Sequence, residues 1–344
     1  MPEFNYNDSV NFLSKLSLRK TWNGIKVLTS YELTRLLHKP IQWGLPLSMS
    51  FEPTTACNLH CPECPSGLRS FTRPRGMLDS KFFKKTIDSV YKDLMYLIFY
   101  FQGEPYLNKK FLEMVAYAHS KKIYTATSTN GHFLSDEMAR KTVESGLDRL
   151  IISIDGTTQE VYQQYRRGGN LQTVIQGARN IVKWKKELKS KKPYVFFQFL
   201  VVRPNEHQIE DVKKLAKEVG VDDVRFKTAQ VYDYENDPNH LIPKNEKYSR
   251  YVKKKDGHTE QKNKMTNHCW RLWHANVVTW DGTVVPCCFD KDAKHKLGNL
   301  NEHSMKEIWQ NKDYKEFRKQ ITISRKNIDI CANCSEGLHV WKKG

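Results

Sequence analysis

From about residue 46 the chain alternates short apolar runs with longer segments in which apolar residues recur every three or four positions, the pattern of repeated strand–helix units. Six runs read as strands: LPLSMSFEP (45–53), MYLIFYFQ (95–102), IYTATSTN (123–130), RLIISID (149–155), YVFFQFLVV (194–202) and DVRFKTA (223–229). Helical periodicity fills the gaps at 79–94, 107–122, 135–146, 171–188 and 206–220. Asp79 and Ser135 suit helix N-caps, and Gly146 and Gly220 suit helix exits. The alternation predicts an α/β fold whose six parallel strands form an open sheet or a partial (βα)6 barrel.

Beyond the sixth strand the pattern breaks. Residues 231–268 are polar and read as a linker or a substrate-covering loop. A second, smaller unit is expected over 269–344, and VVTWDGTVVP (277–286) reads there as a hairpin turning at Asp281-Gly282. The core is thus expected over 46–230, preceded by an N-terminal extension, 1–45, that is basic and amphipathic. Such an extension packs across a barrel as an ordinary helix or rests on anionic lipid as a peripheral contact. Function on this scaffold gathers at the C-terminal ends of the strands and in the loops that follow them.

Composition narrows the class. The 344 residues are 39% hydrophobic and 12% aromatic, which fits a globular chain rather than a disordered one. No apolar run is long enough to span a bilayer, and the N-terminus lacks the order of a secretory signal, so a cytoplasmic location is expected. The net charge of +18 favours anionic partners. Its basic residues are scattered rather than gathered into an arginine-aromatic stripe, which argues against nucleic acid.

The eight cysteines change the picture more. Seven fall into two spaced groups, as metal or redox chemistry requires in a reducing compartment. Cys57, Cys61 and Cys64 lie directly after the first strand in a C-x3-C-x2-C spacing. Three thiolates are one short of a closed site; holding three irons of a [4Fe-4S] cluster, they leave the fourth iron free for a cofactor.

CNLHCPEC (57–64) resembles the signature of the radical S-adenosylmethionine (SAM) enzymes, with Glu63 at a position that is usually aromatic. FQGEP (101–105) resembles that family's GGEP motif with Gln102 in place of the first glycine, and STNG (128–131), SIDG (153–156) and YRRGGN (165–170) are also family-like. The resemblance implies a TIM-like partial barrel in which the three cysteines hold the catalytic cluster, whose unique iron chelates SAM. It assigns Gly103 and Glu104 to the SAM amino group, Ser128 or Asn130 and Ser153 or Asp155 to ribose or the methionine moiety, and Arg166 or Arg167 to the carboxylate. In FLVVRPN (199–205), Val201 and Val202 would flank adenine and Asn205 would close the loop.

The second group, Cys269, Cys287 or Cys288, Cys331 and Cys334, supplies four thiolates, which on ligand type alone suit zinc or iron–sulfur equally. Together with GNL (298–300) and EIW (307–309), this group resembles the SPASM or twitch extension of the same family, with enough cysteines for one auxiliary [4Fe-4S] cluster, and the twitch spacing favours Cys287. The resemblance implies an enzyme that cleaves SAM with one electron from an external carrier of flavodoxin or ferredoxin type, abstracts a substrate hydrogen and passes a second electron to the auxiliary cluster. A small molecule such as a sugar or cyclitol is the expected substrate, with peptide or protein maturation as the alternative. The reading from a different class is a zinc-dependent nucleic-acid-binding protein.

Overall fold

In the computed structural model, which describes residues 6–262 and 265–337, six strands run parallel in chain order: β1 (Ser48–Phe51), β2 (Tyr96–Ile98), β3 (Tyr124–Thr129), β4 (Arg149–Ser153), β5 (Tyr194–Val201) and β6 (Asp223–Thr228). The first five and last seven residues of the expected end units lie outside the described residues. Each strand falls within its sequence-predicted run, so the alternation of apolar runs located the partial barrel.

The helices are α1 (Tyr6–Leu13), α2 (Leu18–Leu37), α3 (Pro65–Leu68), α4 (Ser80–Val90), α5 (Phe111–Ser120), α6 (Asp136–Glu144), α7 (Gln159–Tyr165), α8 (Leu171–Glu187) and α9 (Ile209–Val219). Asp79 caps α4 by accepting from Phe82 N at 2.8 Å, and Ser135 caps α6 by accepting from Met138 N at 3.2 Å. Gly220 ends α9 at φ +85°, a conformation that costs a side-chain-bearing residue energy. Phe51, Phe83, Phe99 and Phe111 form a continuous aromatic contact between the sheet, α4 and α5, with successive centroids 5.1, 5.3 and 5.6 Å apart.

The N-terminal helices close the floor of the barrel, where the strands begin. Asp8 of α1 binds Tyr124 Oη and Arg149, the first residues of β3 and β4. Phe12 packs on Tyr124 with centroids 5.5 Å apart, Lys15 pairs with the fully buried Asp148, and Arg19 pairs with Asp93 at 2.6 Å. Among the described residues no helix is long and apolar enough to cross a membrane.

The C-terminal segment is less separate than its pattern suggests. The covering segment folds back as an antiparallel ribbon, β7 (Tyr251–Lys253) with β8 (Thr259–Gln261). After α10 (Trp270–His274), the predicted hairpin forms as β9 (Ala275–Val278) and β10 (Thr283–Val285), followed by the short β11 (Gly298–Asn299). β9 pairs in parallel with β1, Ser48 opposite Ala275, so hairpin and barrel share one nine-stranded sheet. The segment ends in α11 (Met305–Gln310), α12 (Lys312–Ser324) and α13 (Asp329–Ala332). α2 clasps α10 from below, with Tyr31 5.1 Å from Trp270 and 5.8 Å from Trp273, centroid to centroid.

Candidate active site

The loop after β1 brings Cys57, Cys61 and Cys64 into the wall of one cavity of about 280 Å³ at the C-terminal ends of the strands. His60 N donates to Arg167 O at 2.9 Å, and α3 leaves the loop directly after Cys64. Burial pushes the Cys57 thiol up and the Cys61 thiol up to about 11. Ligation therefore has to displace protons that the protein environment holds on.

Gly103 packs so closely under this loop that a Cβ would stand 2.2 Å from Thr54 O and 2.8 Å from Ala56 O, at φ +72°. Only glycine fits. Its N–H is already engaged by Ser66 Oγ at 2.8 Å. The neighbouring Glu104 lines the cavity and accepts from Thr129 Oγ1 (2.7 Å), Asn130 N (2.8 Å) and Tyr106 N (3.3 Å). Two carboxylate oxygens offer about four acceptor positions, so room for one further donor remains. Burial holds the Glu104 carboxyl up at about 7 despite these donors.

Ser128 and Asn130 from the end of β3, and Ser153 from β4, line the same cavity. Asn130 Nδ2 donates to Asn58 Oδ1 at 2.7 Å and reaches Cys57 Sγ at 3.9 Å, bracing the cysteine loop. The adjacent arginines part company across the end of α7. Arg166 lines the cavity, pairs with Asp155 at 2.5 Å and reaches Cys61 Sγ at 3.9 Å. Burial alone would weaken its charge, but Asp155 and Cys61 outweigh that and keep it firmly protonated. Arg167 is exposed and is absent from the cavity wall.

Asp155 does not line the cavity either. It is fully buried, and besides Arg166 it accepts from Leu200 N at 2.7 Å, so it positions the arginine against β5. Nor does it cap the next helix, since Thr158 does that for α7. On β5 the inward side chains are Gln198 and Leu200; Val201 is buried in the core, whereas Val202 packs with Leu59, Cys61 and Tyr165 beside the cysteine loop. The apolar wall of the cavity is supplied by Leu200, with Tyr165, Tyr100 and Phe101. Alternation of side chains along a strand was the signal that would have separated Leu200 from Val201. Asn205 does close its loop, donating to Leu200 O at 2.9 Å and Asp155 O at 3.0 Å.

A second group of thiols collects under the hairpin. Cys287 is held up by burial, with Cys288, Cys269 and Cys334 adding to the effect, while Cys331 is pushed up to about 12, partly by Cys269 and Cys334. Cys288, next to Cys287, has its Sγ 3.6 Å from Arg271, and its side chain packs, as Phe101 does, against Val277, Val285 and Ala293. Arg325, which sequence reasoning missed, is 1% exposed and donates to Cys334 Sγ at 3.2 Å and Glu336 O at 2.6 Å. Its Nε is buried without a hydrogen-bond partner. A buried guanidinium with a free donor beside three thiols, Cys269, Cys331 and Cys334, fits an anionic thiolate-ligated group.

As the side chains stand, no group of three or more His, Cys, Asp and Glu among the described residues closes on a single metal ion. The first three thiols instead line one wall of a cavity beside the acceptor Glu104 and the cation Arg166. That donor set suits a multi-atom iron–sulfur cluster with a zwitterionic amino-acid ligand.

Comparison with known proteins agrees with this chemistry. The radical SAM superfamily model matches residues 51–216, and that of the SPASM iron–sulfur cluster-binding domain matches 269–335. The tungsten-containing aldehyde ferredoxin oxidoreductase cofactor-modifying protein of Pyrococcus furiosus is 26% identical over 328 residues, covering 83% of this chain and 86% of that protein. Mycofactocin maturase MftC of Mycobacterium tuberculosis is 30% identical over 136 residues, covering 40% of this chain and 34% of that protein. Among solved structures, anSMEcpe with bound AdoMet aligns with a TM-score of 0.61 at 21% identity, covering 80% of this chain and 81% of that one. BtrN in complex with AdoMet and 2-DOIA aligns with a TM-score of 0.53 at 19% identity, covering 85% and 94%. The shared fold is an α/β partial barrel.

Proposed function

This chain belongs to the radical SAM superfamily and carries a C-terminal SPASM domain, and on that premise we propose that it catalyses a two-electron oxidation of a small molecule such as a sugar or cyclitol. The family brings a [4Fe-4S] cluster, SAM and auxiliary iron–sulfur binding. We assign the first cluster to Cys57, Cys61 and Cys64, and one auxiliary cluster to Cys269, Cys287, Cys331 and Cys334. When bound and reduced by an external carrier of flavodoxin or ferredoxin type, the first cluster and SAM supply a deoxyadenosyl radical that takes a hydrogen atom from the substrate.

The chain's own residues orient and insulate. Glu104 offers its remaining acceptor position to the SAM amino group, and Arg166, locked by Asp155, faces the carboxylate. Ser128, Asn130 and Ser153 offer polar groups to the methionine moiety or ribose. Leu200, Tyr165, Tyr100 and Phe101 keep the cavity apolar, which restricts water.

One observation carries the oxidative reading. Tyr100 and Phe101 line the cavity, and Phe101 also packs, as Cys288 does, against the Val277, Val285 and Ala293 cluster of the hairpin, while the charges of Cys288 and Arg271 reach Tyr100. Phe101 thus links the cavity wall to the hairpin that precedes Cys287, which supports a route for the electron that a substrate radical must lose. Peptide maturation is the competing reading, favoured by the name of MftC. Against it, α1 and α2 are committed to the barrel floor. Family membership displaces the reading as a zinc-dependent nucleic-acid-binding protein.

The test is Cys331→Ala/Cys334→Ala, reconstituted anaerobically and supplied with deuterated sugars and cyclitols or with peptides. The proposal expects deuterium in 5′-deoxyadenosine from a small molecule, and cleavage retained in the variant while oxidised product is lost. Deuterium arriving only from peptides would transfer the assignment to a maturase.

A further inference from the structure

We propose that the floor of the barrel is a docking face for an anionic lipid surface. Most of the large apolar side chains exposed among the described residues lie between residues 6 and 43. On α1, Val10 and Leu13 point outward one turn apart. On α2, Leu18, Trp22 and Ile25 follow at spacings of four and three, and Leu36 recurs on the same side five turns after Leu18. Leu18 is 92% exposed, Leu36 74% and Trp22 61%. The inward faces of the same helices carry Asp8, Phe12, Asn23 and Tyr31 into the barrel, so the outward face is surplus to the fold. An exposed apolar stripe of this kind on a folded chain, interrupted on α2 by Thr29 and Glu32, marks a contact surface.

Charge identifies the occupant. The carboxylates that α1 and α2 meet are turned inward, Asp8 engaging Arg149, Asp148 engaging Lys15 and Asp93 engaging Arg19, while Asp88 and Asp222 at the rim engage Lys121 and Lys185. Lys15 and Lys20 are buried on inward partners, whereas other lysines face outward. Lys122 is exposed beside α2, its carbonyl accepting from Lys20 Nζ at 2.6 Å, and Lys92 is exposed next to Asp93. Lys191, also exposed, shares with Val10 of α1 and Ser14 a cavity of about 320 Å³ that Asp8, Asp148, Lys192 and Asp222 also line. The exposed carboxylate on α2, Glu32, is matched by Arg35 at 2.8 Å. An apolar helix face bearing tryptophan and edged with lysine suits the boundary between acyl chains and anionic headgroups. Docked in this way, the floor meets the membrane while the cavity at the opposite strand ends stays open to the aqueous phase.

Flotation of the reconstituted full chain with vesicles tests this, using phosphatidylcholine alone and phosphatidylcholine mixed with phosphatidylglycerol. The expected result is binding to the mixed vesicles that weakens in high salt and falls about tenfold or more in Leu18→Ser/Trp22→Ser and in Lys122→Glu/Lys191→Glu. Dithionite-driven 5′-deoxyadenosine formation should stay unchanged in both variants, which reports that they fold and keeps this test separate from the catalytic assignment. Absence of flotation with mixed vesicles, or equal flotation with neutral ones, would overturn the proposal. So would a dimer by light scattering that Leu18→Ser/Trp22→Ser converts to monomer, because the face would then belong to a second copy of the chain.

Discussion

Glu104 has two demands on it that act in opposite directions. Burial favours its neutral form and holds the carboxyl at about 7 rather than 4.5, while its proposed task requires the carboxylate. The ligand-free fold binds this proton more tightly than the unfolded chain does, so the group's stabilising contribution is full below pH 4.5 and is lost as pH rises through about 7. A bound amino group donating to the carboxylate reverses the preference. The thermal stabilisation that SAM gives the cluster-loaded protein should therefore grow between about pH 6 and about pH 8, and this growth should flatten in Glu104→Gln. A gain that does not change with pH in the wild type would remove Glu104 from the amino-group site.

The cysteines and the GEP turn were legible because their spacing is local. Arg166 and Arg167 were not separable, since neighbours at the end of a helix face different ways and only the partner Asp155 decides between them. Asp155 itself was misplaced for a related reason: its contacts, Arg166 and Leu200 N, come from distant parts of the sequence.

At the scale of elements, strands and helices were readable from periodicity, and helix starts from caps such as Asp79, because each depends on residues within a few positions. The pairing of β9 with β1 was not, because nothing local in either strand names its partner. The join is fastened by Glu52, fully buried at the end of β1, whose carboxylate takes both arms of Arg73 (2.8 and 2.5 Å) and Trp280 N from the hairpin turn (3.3 Å). Glu52→Ala leaves the Arg73 guanidinium buried without its counter-ion and should cost about 3–5 kcal/mol. Urea unfolding measures this, and Glu52→Leu/Arg73→Met should recover much of the loss. A single-variant cost under about 1 kcal/mol would mean that the clasp behaves as a surface pair does.

The whole molecule holds two thiol groups, one in the barrel mouth and one in the segment whose hairpin continues the barrel's sheet, with Phe101 of the cavity wall packed against that hairpin. The central claim is that the first group holds the cluster that acts on SAM while the second holds an independent auxiliary cluster. Iron, sulfide and dithionite-driven 5′-deoxyadenosine, measured on anaerobically reconstituted wild type and on Cys57→Ala/Cys61→Ala/Cys64→Ala, test it most directly. The account predicts about eight irons per chain falling to about four in the variant, with cleavage abolished. Zinc in place of iron with no deoxyadenosine from the wild type, or cleavage surviving in the variant, would contradict it.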